Sequence, residues 1–244
     1  MSRNGPARQS GDMSHRRHRD EDHPTTLEEM RNALSAAVWD ERYAGSDRVW
    51  SGRPNQRLVE QTADLTPGTA LDVGCGEGAD AIWLAEQGWQ VTGVDVSEVA
   101  LRRTAAHAVE RGVDDRVDVG FYDVLGKKGP RPPRGRRGFD LVSAHFMHVP
   151  REDFDAVYAK IAAAVAPGGR LLVVAHHPHD VESGARRPHG PGLMFPPEQV
   201  VASLGAGGDE GPWEVEVADA PTREQQTEDG PVQVQDTVVR LRRR

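Results

Sequence analysis

Short apolar runs alternate with amphipathic stretches along most of the chain, and this alternation predicts the architecture. Runs typical of strands lie at 70–73, 91–95, 116–122, 139–144 and 170–175, and two alternating strands follow at 213–218 and 232–241. Helical spacing, helix caps and helix stops fill most of the gaps between them. Such alternation with short connections predicts an α/β fold with a doubly wound, mostly parallel, seven-stranded sheet whose last strand is antiparallel.

The chain divides into three parts by composition and periodicity. The tail 1–24 is rich in Arg, His, Asp, Gly and Ser with almost no apolar residues, so we expect it to be disordered. Residues 25–66 are expected to form an N-terminal helical cap. The remaining residues, 67–244, form the main domain, to which the sheet belongs.

The cap is expected to contain two helices. Thr25-Thr26-Leu27-Glu28 has the pattern of a capping box. Apolar residues at 27, 30, 34 and 38 continue from it with helical spacing toward Trp39 and Tyr43. A second helix is expected after Pro54.

Composition and charge exclude several classes of protein. The net charge of −8 argues against a general nucleic-acid binder, because neutralising phosphates requires a basic face. No apolar stretch reaches the length of a membrane span, and the N-terminus lacks the apolar core of a signal peptide. Cys75 is the single cysteine, which rules out an internal disulfide and suits a reducing compartment. We therefore expect a cytoplasmic protein that binds neither nucleic acid nor membranes.

A basic loop departs from this acidic average. Gly126 to Gly138 reads GKKGPRPPRGRRG and lies between the third and fourth predicted strands. It could attract an anionic substrate or RNA, but it has no aromatic residue on which a base could stack. We favour a solvated surface insertion.

The first strand ends in a glycine-rich turn of the kind that binds nucleotides. Gly74, Gly76 and Gly78 alternate through it, so the backbone can take positive φ and approach a bound molecule. Asp72 stands two residues earlier, where a buried charge would be costly without a partner. Asp95 closes the second strand, where an acidic side chain accepts hydrogen bonds from ribose hydroxyls in such folds. A ribose-bearing cofactor is therefore expected at the carboxyl ends of the strands.

The glycine spacing and the first carboxylate select the cofactor. The dinucleotide fingerprint GxGxxG receives a pyrophosphate, whereas this turn is GxGxG with an aspartate before it. That aspartate would repel a pyrophosphate and attract the amino group of a methionine-type tail. The pattern D-x-G-x-G-x-G, with VTGVDVS after a helix, resembles motif I of the class I S-adenosylmethionine (SAM)-dependent methyltransferases. The resemblance implies SAM as cofactor and S-adenosylhomocysteine as product.

Further site residues follow from this resemblance. The segment WDERYAGSDRVWSGRPN is similar to the cap of the tellurite-resistance and thiopurine methyltransferase-like branch, in which an aromatic residue and an arginine fold over the cofactor. The resemblance also places an acidic side chain and a backbone N–H against adenine. By this resemblance, Trp39, Arg42, Tyr43 and Trp50 are expected to contact the methionine tail or to roof the substrate pocket, and Asp123 and the Val124 N–H to contact the adenine. Further expected cofactor positions are Val96, Ala144 and Cys75, the last as a small side chain packed under the cofactor. For the aromatic residues of the cap, simple packing is the alternative.

The end of the fourth strand bears on the methyl acceptor. It reads SAHFMHVP and lacks the [D/N]-P-P-[F/Y] motif of methyltransferases that act on the amino groups of nucleobases. A small molecule is therefore the expected acceptor, and the resemblance implies a thiol or another soft nucleophile. Two alternatives stay open: O- or N-methylation of a natural product, and a non-catalytic SAM-binding module that engages a partner.

An oxygen or nitrogen acceptor would need a base, and histidine suits that role near neutral pH. His145 and His176 lie nearest the ends of strands four and five and are the predicted catalytic residues, with His148, His177 and His179 as further candidates. The cluster HHPHD at 176–180 offers metal ligands, but its irregular spacing is not typical of a zinc site. We expect no metal ion.

Overall fold

A computed structural model describes residues 24, 26–183, 185, 187, 192–208, 210–227 and 230–244. Its strands are β1 Thr69–Val73, β2 Gln90–Asp95, β3 Val117–Phe121, β4 Phe139–His145, β5 Val165–His176, β6 Trp213–Asp219, β7 Thr222–Thr227 and β8 Gly230–Arg243. Its α-helices are α1 Leu27–Asn32, α2 Ala36–Ala44, α3 Gln56–Thr62, α4 Ala79–Glu86, α5 Glu98–Arg111, α6 Arg151–Ala163 and α7 Pro197–Ser203, and a 3₁₀-helix spans Pro178–Glu182. The predicted tail lies outside the described residues except for Pro24.

The strands form one sheet in the order β3-β2-β1-β4-β5-β8-β6, with β7 paired to β8 outside this path. Strands β1 to β5 pair in parallel, and β8 runs antiparallel to β5 and β6. The predicted α/β sheet is confirmed. The strand order reverses between β1 and β4, and this is where open α/β sheets bind ligands.

The sheet has eight strands, and the predicted count of seven missed β7. The sequence predicts a polar connection between the two closing strands. In the structure, residues 222–227 of this connection form a strand that pairs with the first half of β8. Its sequence TREQQT has no apolar residue, so hydrophobic alternation does not mark it. Its Arg223 donates to Asp236 of β8 at 2.9 Å, a contact that the sequence pattern does not reveal.

The first cap helix is shorter than predicted. The chain leaves the helix after Asn32, and Ser35 takes an extended conformation before α2 begins. Serine competes for backbone hydrogen bonds and favours such helix starts over helix interiors. The capping box lies one residue later than expected, with Thr26 and Glu29 exchanging hydrogen bonds.

Apolar side chains cover both faces of the sheet. On one face Leu71, Val73 and Val142 pack with residues of α6 such as Phe154. On the other face Ala70, Leu141 and Leu172 pack with residues of α4. Burial on both faces leaves the strand ends as the place for polar side chains. None of the described helices is both long and apolar enough to cross a bilayer.

Candidate active site

The glycine turn lies at the carboxyl end of β1 and leads into α4. Gly74, Gly76 and Gly78 have φ values of 74°, 55° and 86°, which L side chains adopt rarely. A Cβ added to Gly76 would lie 2.9 Å from the Tyr43 hydroxyl oxygen and 3.3 Å from Nε1 of Trp50. Gly76 therefore has no room for a side chain, because the N-terminal cap closes directly over it.

Asp72 is buried at the end of β1, with only 2% of its surface exposed. Ser143 of β4 donates its hydroxyl hydrogen to Oδ1 at 3.1 Å, whereas Oδ2 is buried with no hydrogen-bond partner among the described residues. Burial and the nearby charge of Asp80 raise the pKa of Asp72 to about 7. A carboxylate oxygen in this condition is a binding position for a cation or a hydrogen-bond donor.

Asp95 closes β2 next to the glycine turn. The backbone N–H groups of Gly76 and Ser97 both donate to its carboxylate at 2.9 Å. Burial raises the pKa of Asp95, and these hydrogen bonds counteract part of that rise. The carboxylate is thereby held beside the turn by backbone N–H groups on both sides.

The cap segment, defined here as residues 36–55, is held on the turn by the buried Glu77 and the half-buried Asp40. Glu77 accepts hydrogen bonds from the backbone N–H groups of Val49 and Trp50 at 3.1 and 3.0 Å, and it pairs with Arg103 at 2.8 Å. Asp40 accepts a hydrogen bond from the Ser97 hydroxyl at 2.6 Å. These contacts tie the cap to the elements that form the glycine turn.

The aromatic residues of the cap segment form one group above the turn. Trp50 donates its indole N–H to the Tyr43 hydroxyl at 2.9 Å. The guanidinium carbon of Arg42 lies 4.9 Å from the ring centroid of Trp39 and 5.0 Å from that of Trp50, within the range of cation–π contacts. Of the residues predicted to cover the cofactor, Tyr43 contacts the turn directly, while Trp39 and Arg42 lie against its aromatic neighbours.

The remaining predicted cofactor positions also lie near the ends of the first four strands. Asp123 is exposed after β3, where its Oδ1 accepts the Leu125 backbone N–H at 2.9 Å, and Val124 is half-buried beside it. Val96 directly follows β2, and Ala144 pairs with Val73 in the sheet. The Cys75 thiol is buried and its pKa is raised by that burial, so a thiolate nucleophile is disfavoured there.

His145 ends β4 and forms a pair that the sequence analysis missed. Its Nδ1 lies 2.7 Å from Oδ2 of Asp80, which belongs to the first turn of α4. The other carboxylate oxygen of Asp80 accepts the Asn55 backbone N–H of the cap at 2.6 Å. Nε2 of His145 is buried without a hydrogen-bond partner among the described residues. The one available signal was an acidic residue directly after the glycine turn.

The carboxylate cluster, which we define as Asp72, Asp80 and His145, brings one possible ligand atom from each residue within 4.8 Å of the others. The side chains of the HHPHD sequence at 176–180 do not bring their possible ligand atoms together in such a cluster. Asp180 of that sequence is fully buried in an ion pair with Arg187 at 2.6 Å, and His177 caps the 3₁₀-helix by accepting the His179 N–H. Potential metal ligands therefore meet at the strand ends instead of at 176–180.

His176 ends β5 and belongs to a second group, the ring cluster of Phe146, His148 and His176. The two imidazole rings stack with centroids 5.0 Å apart and an interplanar angle of 10°. Phe146 lies 4.5 Å from His176 between centroids. Burial lowers the pKa of His148 to about 4 and that of His176 to about 2, so both rings are neutral at physiological pH.

Comparison with known proteins agrees with this arrangement. Residues 70–169 match the model of a methyltransferase domain. Over 123 residues the chain is 37% identical to nocamycin O-methyltransferase of Saccharothrix syringae, an alignment that covers 49% of this chain and 42% of that protein. The chain spans about half the length of the curated relatives it matches.

Solved structures share the fold at lower identity. TehB from Haemophilus influenzae has a TM-score of 0.61 at 16% identity, covering 84% of this chain and 67% of that one. The 1,6-didemethyltoxoflavin-N1-methyltransferase of Burkholderia thailandensis, which holds S-adenosylhomocysteine, has a TM-score of 0.61 at 20% identity, covering 91% and 92%. These equal scores do not single out the tellurite-resistance branch. Residues 70–169 are thus similar to a methyltransferase domain, and the chain shares the fold of these solved structures.

Proposed function

We propose that this chain transfers a methyl group from SAM to a hydroxyl group of a small molecule, with His145 as the base. The observation that carries this proposal is the pairing of His145 with Asp80 immediately beside Asp72. It places a supported imidazole next to the carboxylate to which we assign the amino group of the cofactor. The O-methyltransferase named above supports oxygen as the acceptor atom.

The described residues fit SAM as the cofactor. The partnerless oxygen of Asp72 suits the cationic amino group of the methionine tail, and Asp95 suits the ribose hydroxyls. Glycine at position 76 lets Tyr43 and Trp50 of the cap segment close over the turn. We assign the adenine to Asp123 and Val124, and the remaining contacts to Gly74, Cys75, Gly78, Val96, Ala144, Trp39, Arg42 and Tyr43.

When bound, SAM supplies a methyl group that its sulfonium already makes electrophilic. The protein then has to orient the acceptor, exclude water and take up a proton. An ionised Asp80 can only accept, so Nδ1 of His145 carries the hydrogen of their 2.7 Å contact. That tautomer leaves a lone pair on Nε2, which is the atom that would take the proton of the acceptor hydroxyl.

We assign the base to His145 in preference to His176, the other predicted catalytic residue. A histidine whose pKa is lowered to about 2 is a weak proton acceptor near neutral pH. His176 also has no carboxylate partner among the described residues, whereas His145 is oriented by Asp80. In this proposal His176 contacts the acceptor.

The test is release of S-adenosylhomocysteine from SAM with a panel of phenols, alcohols, thiols and amines. We expect turnover with hydroxyl compounds, and a loss of about 10²–10⁴-fold in kcat in His145→Ala, the usual range for a general base. His179→Ala is the matched control, because His179 is exposed and lies outside the site. Asp80→Asn should lower kcat more than it raises KM, as expected for a positioning residue.

Two outcomes would contradict the proposal. Turnover with thiols alone, at a rate unchanged in His145→Ala, would mean that the acceptor atom is sulfur and that His145 is not the base. Binding of S-adenosylhomocysteine without turnover of any acceptor would favour the non-catalytic binding module.

A further inference from the structure

The chain bends sharply where β4 ends, and the bend presents an aromatic ring. Phe146 has a φ of 51°, which is rare for a bulky side chain and occurs at no other non-glycine residue that the structure describes. Its backbone N–H still donates to the Val174 carbonyl at 2.7 Å. Its side chain is 37% exposed and lies against His176. Backbone strain of this kind concentrates at ligand-binding sites.

His148 supplies an unused hydrogen-bond acceptor next to this ring. Its Nδ1 lies 2.7 Å from the Leu193 carbonyl oxygen, which can only accept, so Nδ1 carries the hydrogen. Because the ring is neutral, Nε2 has a lone pair and no hydrogen. Nε2 is buried and has no hydrogen-bond partner among the described residues. Such an atom calls for a donor group from a ligand.

His176 completes the wall formed by these rings. It stacks on His148 and contacts Phe146, and its Nδ1 is also buried without a partner in the part of the chain that the structure describes. No member of the ring cluster carries charge near neutral pH. Flat aromatic surfaces of this kind favour stacked or tilted aromatic partners.

We infer that the ring cluster is the acceptor subsite and that it binds a flat aromatic compound carrying a hydroxyl group. The ring of this compound packs on Phe146, and this hydroxyl, distinct from the one that is methylated, donates to Nε2 of His148. This inference rests on the proposed function and names the class of acceptor. It is independent of which group acts as base, because it assigns only the binding of the acceptor.

The alternative is that His148 and His176 only pack in the interior. Interior packing alone would pair their ring nitrogens with other polar atoms, as protein interiors generally do. Here one nitrogen of each ring lacks such a partner among the described residues, although His148 has a well-formed bond at its other nitrogen. Two partnerless nitrogens in stacked rings favour a ligand site over packing.

The experiment is equilibrium binding of the fluorescent phenol umbelliferone to the full chain saturated with S-adenosylhomocysteine. Coumarin, which has the same rings without the hydroxyl, and cyclohexanol, which has the hydroxyl without the flat ring, are the matched probes. We expect umbelliferone to bind at least about tenfold more tightly than either, because each lacks one of the two contacts. Equal binding of coumarin and umbelliferone, or no binding of umbelliferone, would overturn the inference.

Variants separate binding from a structural role. His148→Phe keeps a ring but removes the acceptor atom, so its affinity for umbelliferone should fall to that of coumarin. His148→Gln restores an acceptor oxygen and should recover part of the loss. Affinity for S-adenosylhomocysteine should match the wild type in both, whereas the Tm of His148→Phe should fall because the Leu193 carbonyl loses its donor. Unchanged umbelliferone binding in His148→Phe would refute the assignment.

Failure of this inference is distinguishable from failure of the proposed function. If S-adenosylhomocysteine does not bind to the wild type, the cofactor assignment fails first. If S-adenosylhomocysteine binds and hydroxyl compounds are methylated while His148→Phe has normal affinity for umbelliferone, only the acceptor subsite is wrong.

Discussion

The two groups at the carboxyl edge of the sheet differ in charge. The carboxylate cluster gathers two acids with His145, and Asp95 lies on the neighbouring strand. The ring cluster lies at the ends of β4 and β5, and its two histidines are kept neutral by burial. The proposed function uses this difference to assign the cofactor and the acceptor to separate groups. A cationic cofactor tail matches the acidic side, which consists of the carboxylate cluster and Asp95. A neutral hydroxyl compound matches the aromatic side, which is the ring cluster.

The two groups also differ in how they are held. Asp95 and Asp80 accept backbone N–H groups, and the cap is tied to the turn through Glu77. The ring cluster depends on stacking and on one hydrogen bond from His148 to Leu193. Substitutions on the acidic side should therefore affect cofactor affinity strongly, and those on the aromatic side should affect acceptor binding alone.

The largest expected effect on the acidic side is that of Gly76→Val. The branched side chain would meet the Tyr43 hydroxyl and Trp50 where the cap closes over the turn, and the residue would keep an unfavourable φ of 55°. We expect the affinity for S-adenosylhomocysteine, measured by calorimetry, to fall by about a hundredfold or more. Gly135→Val is the matched control, because its φ of 79° is equally positive but the space around it is open. Normal affinity in Gly76→Val would show that closure of the cap segment over the turn is not needed for cofactor binding.

Asp95→Ala should have the next largest effect. It removes the carboxylate assigned to the ribose, and hydrogen bonds to a charged group contribute about 1.5–3 kcal/mol each. The affinity for S-adenosylhomocysteine should fall at least about tenfold. Asp118→Ala, an exposed acid on β3, should leave the affinity unchanged. A loss below about threefold in Asp95→Ala would remove the ribose role.

Acid should weaken cofactor binding through Asp72. Its pKa of about 7 in the folded protein means that the carboxylate needed by a cationic amino group is lost below neutral pH. We expect the affinity for S-adenosylhomocysteine to fall toward tenfold per pH unit between pH 7 and pH 5. Asp72→Asn should bind weakly at every pH with a flatter profile. An unchanged slope in this variant would exclude Asp72 as the titrating group.

The raised pKa of Asp72 also affects the stability of the fold, and stability changes with pH in the opposite direction to cofactor affinity. The pKa of Asp72 is raised from its usual value near 3.8, so between these two values the folded state holds a proton that the unfolded state has released. Without cofactor, the free energy of unfolding should therefore decrease as pH rises from about 4 to 7. Asp72→Asn should be more stable than the wild type to urea at pH 8, and lower stability of this variant would contradict the burial of an unpaired carboxylate.

The smallest expected effect lies on the aromatic side. With pKa values of about 4 and 2, His148 and His176 stay neutral from pH 5.5 to pH 7, a range in which the umbelliferone phenol also keeps its proton. Affinity for umbelliferone, measured over this range with S-adenosylhomocysteine at saturating concentration, should vary by less than about twofold. A tenfold change would mean that an imidazole of the ring cluster titrates, and the contrast between the two groups would disappear.

Local patterns in the sequence predicted where Asp72, the glycine turn and Asp95 lie in the fold. The apolar run 70–73, the three glycines and Asp95 lie within one strand–helix–strand unit, so short-range spacing determines their arrangement. The caps of α5, Ser97 at its start and Gly112 at its end, are likewise readable from the sequence, because capping is a local interaction.

The ring cluster and the pair formed by Asp80 and His145 depend on contacts between distant segments. Asp80 and His145 are 65 residues apart, and His148 and Leu193 are 45 residues apart. No periodicity links such positions, so the sequence identified the histidines but not their partners. The strand β7 was missed for a related reason, because its stability comes from pairing with β8 instead of from an apolar face of its own.

Calorimetric titration of the full chain at pH 8 with S-adenosylhomocysteine, and separately with a nicotinamide dinucleotide, tests the central assignment most directly. We expect saturable binding of one S-adenosylhomocysteine per chain and no heat with the dinucleotide. A clear signal with the dinucleotide and none with S-adenosylhomocysteine would contradict the assignment of Asp72, Asp95 and the glycine turn to SAM.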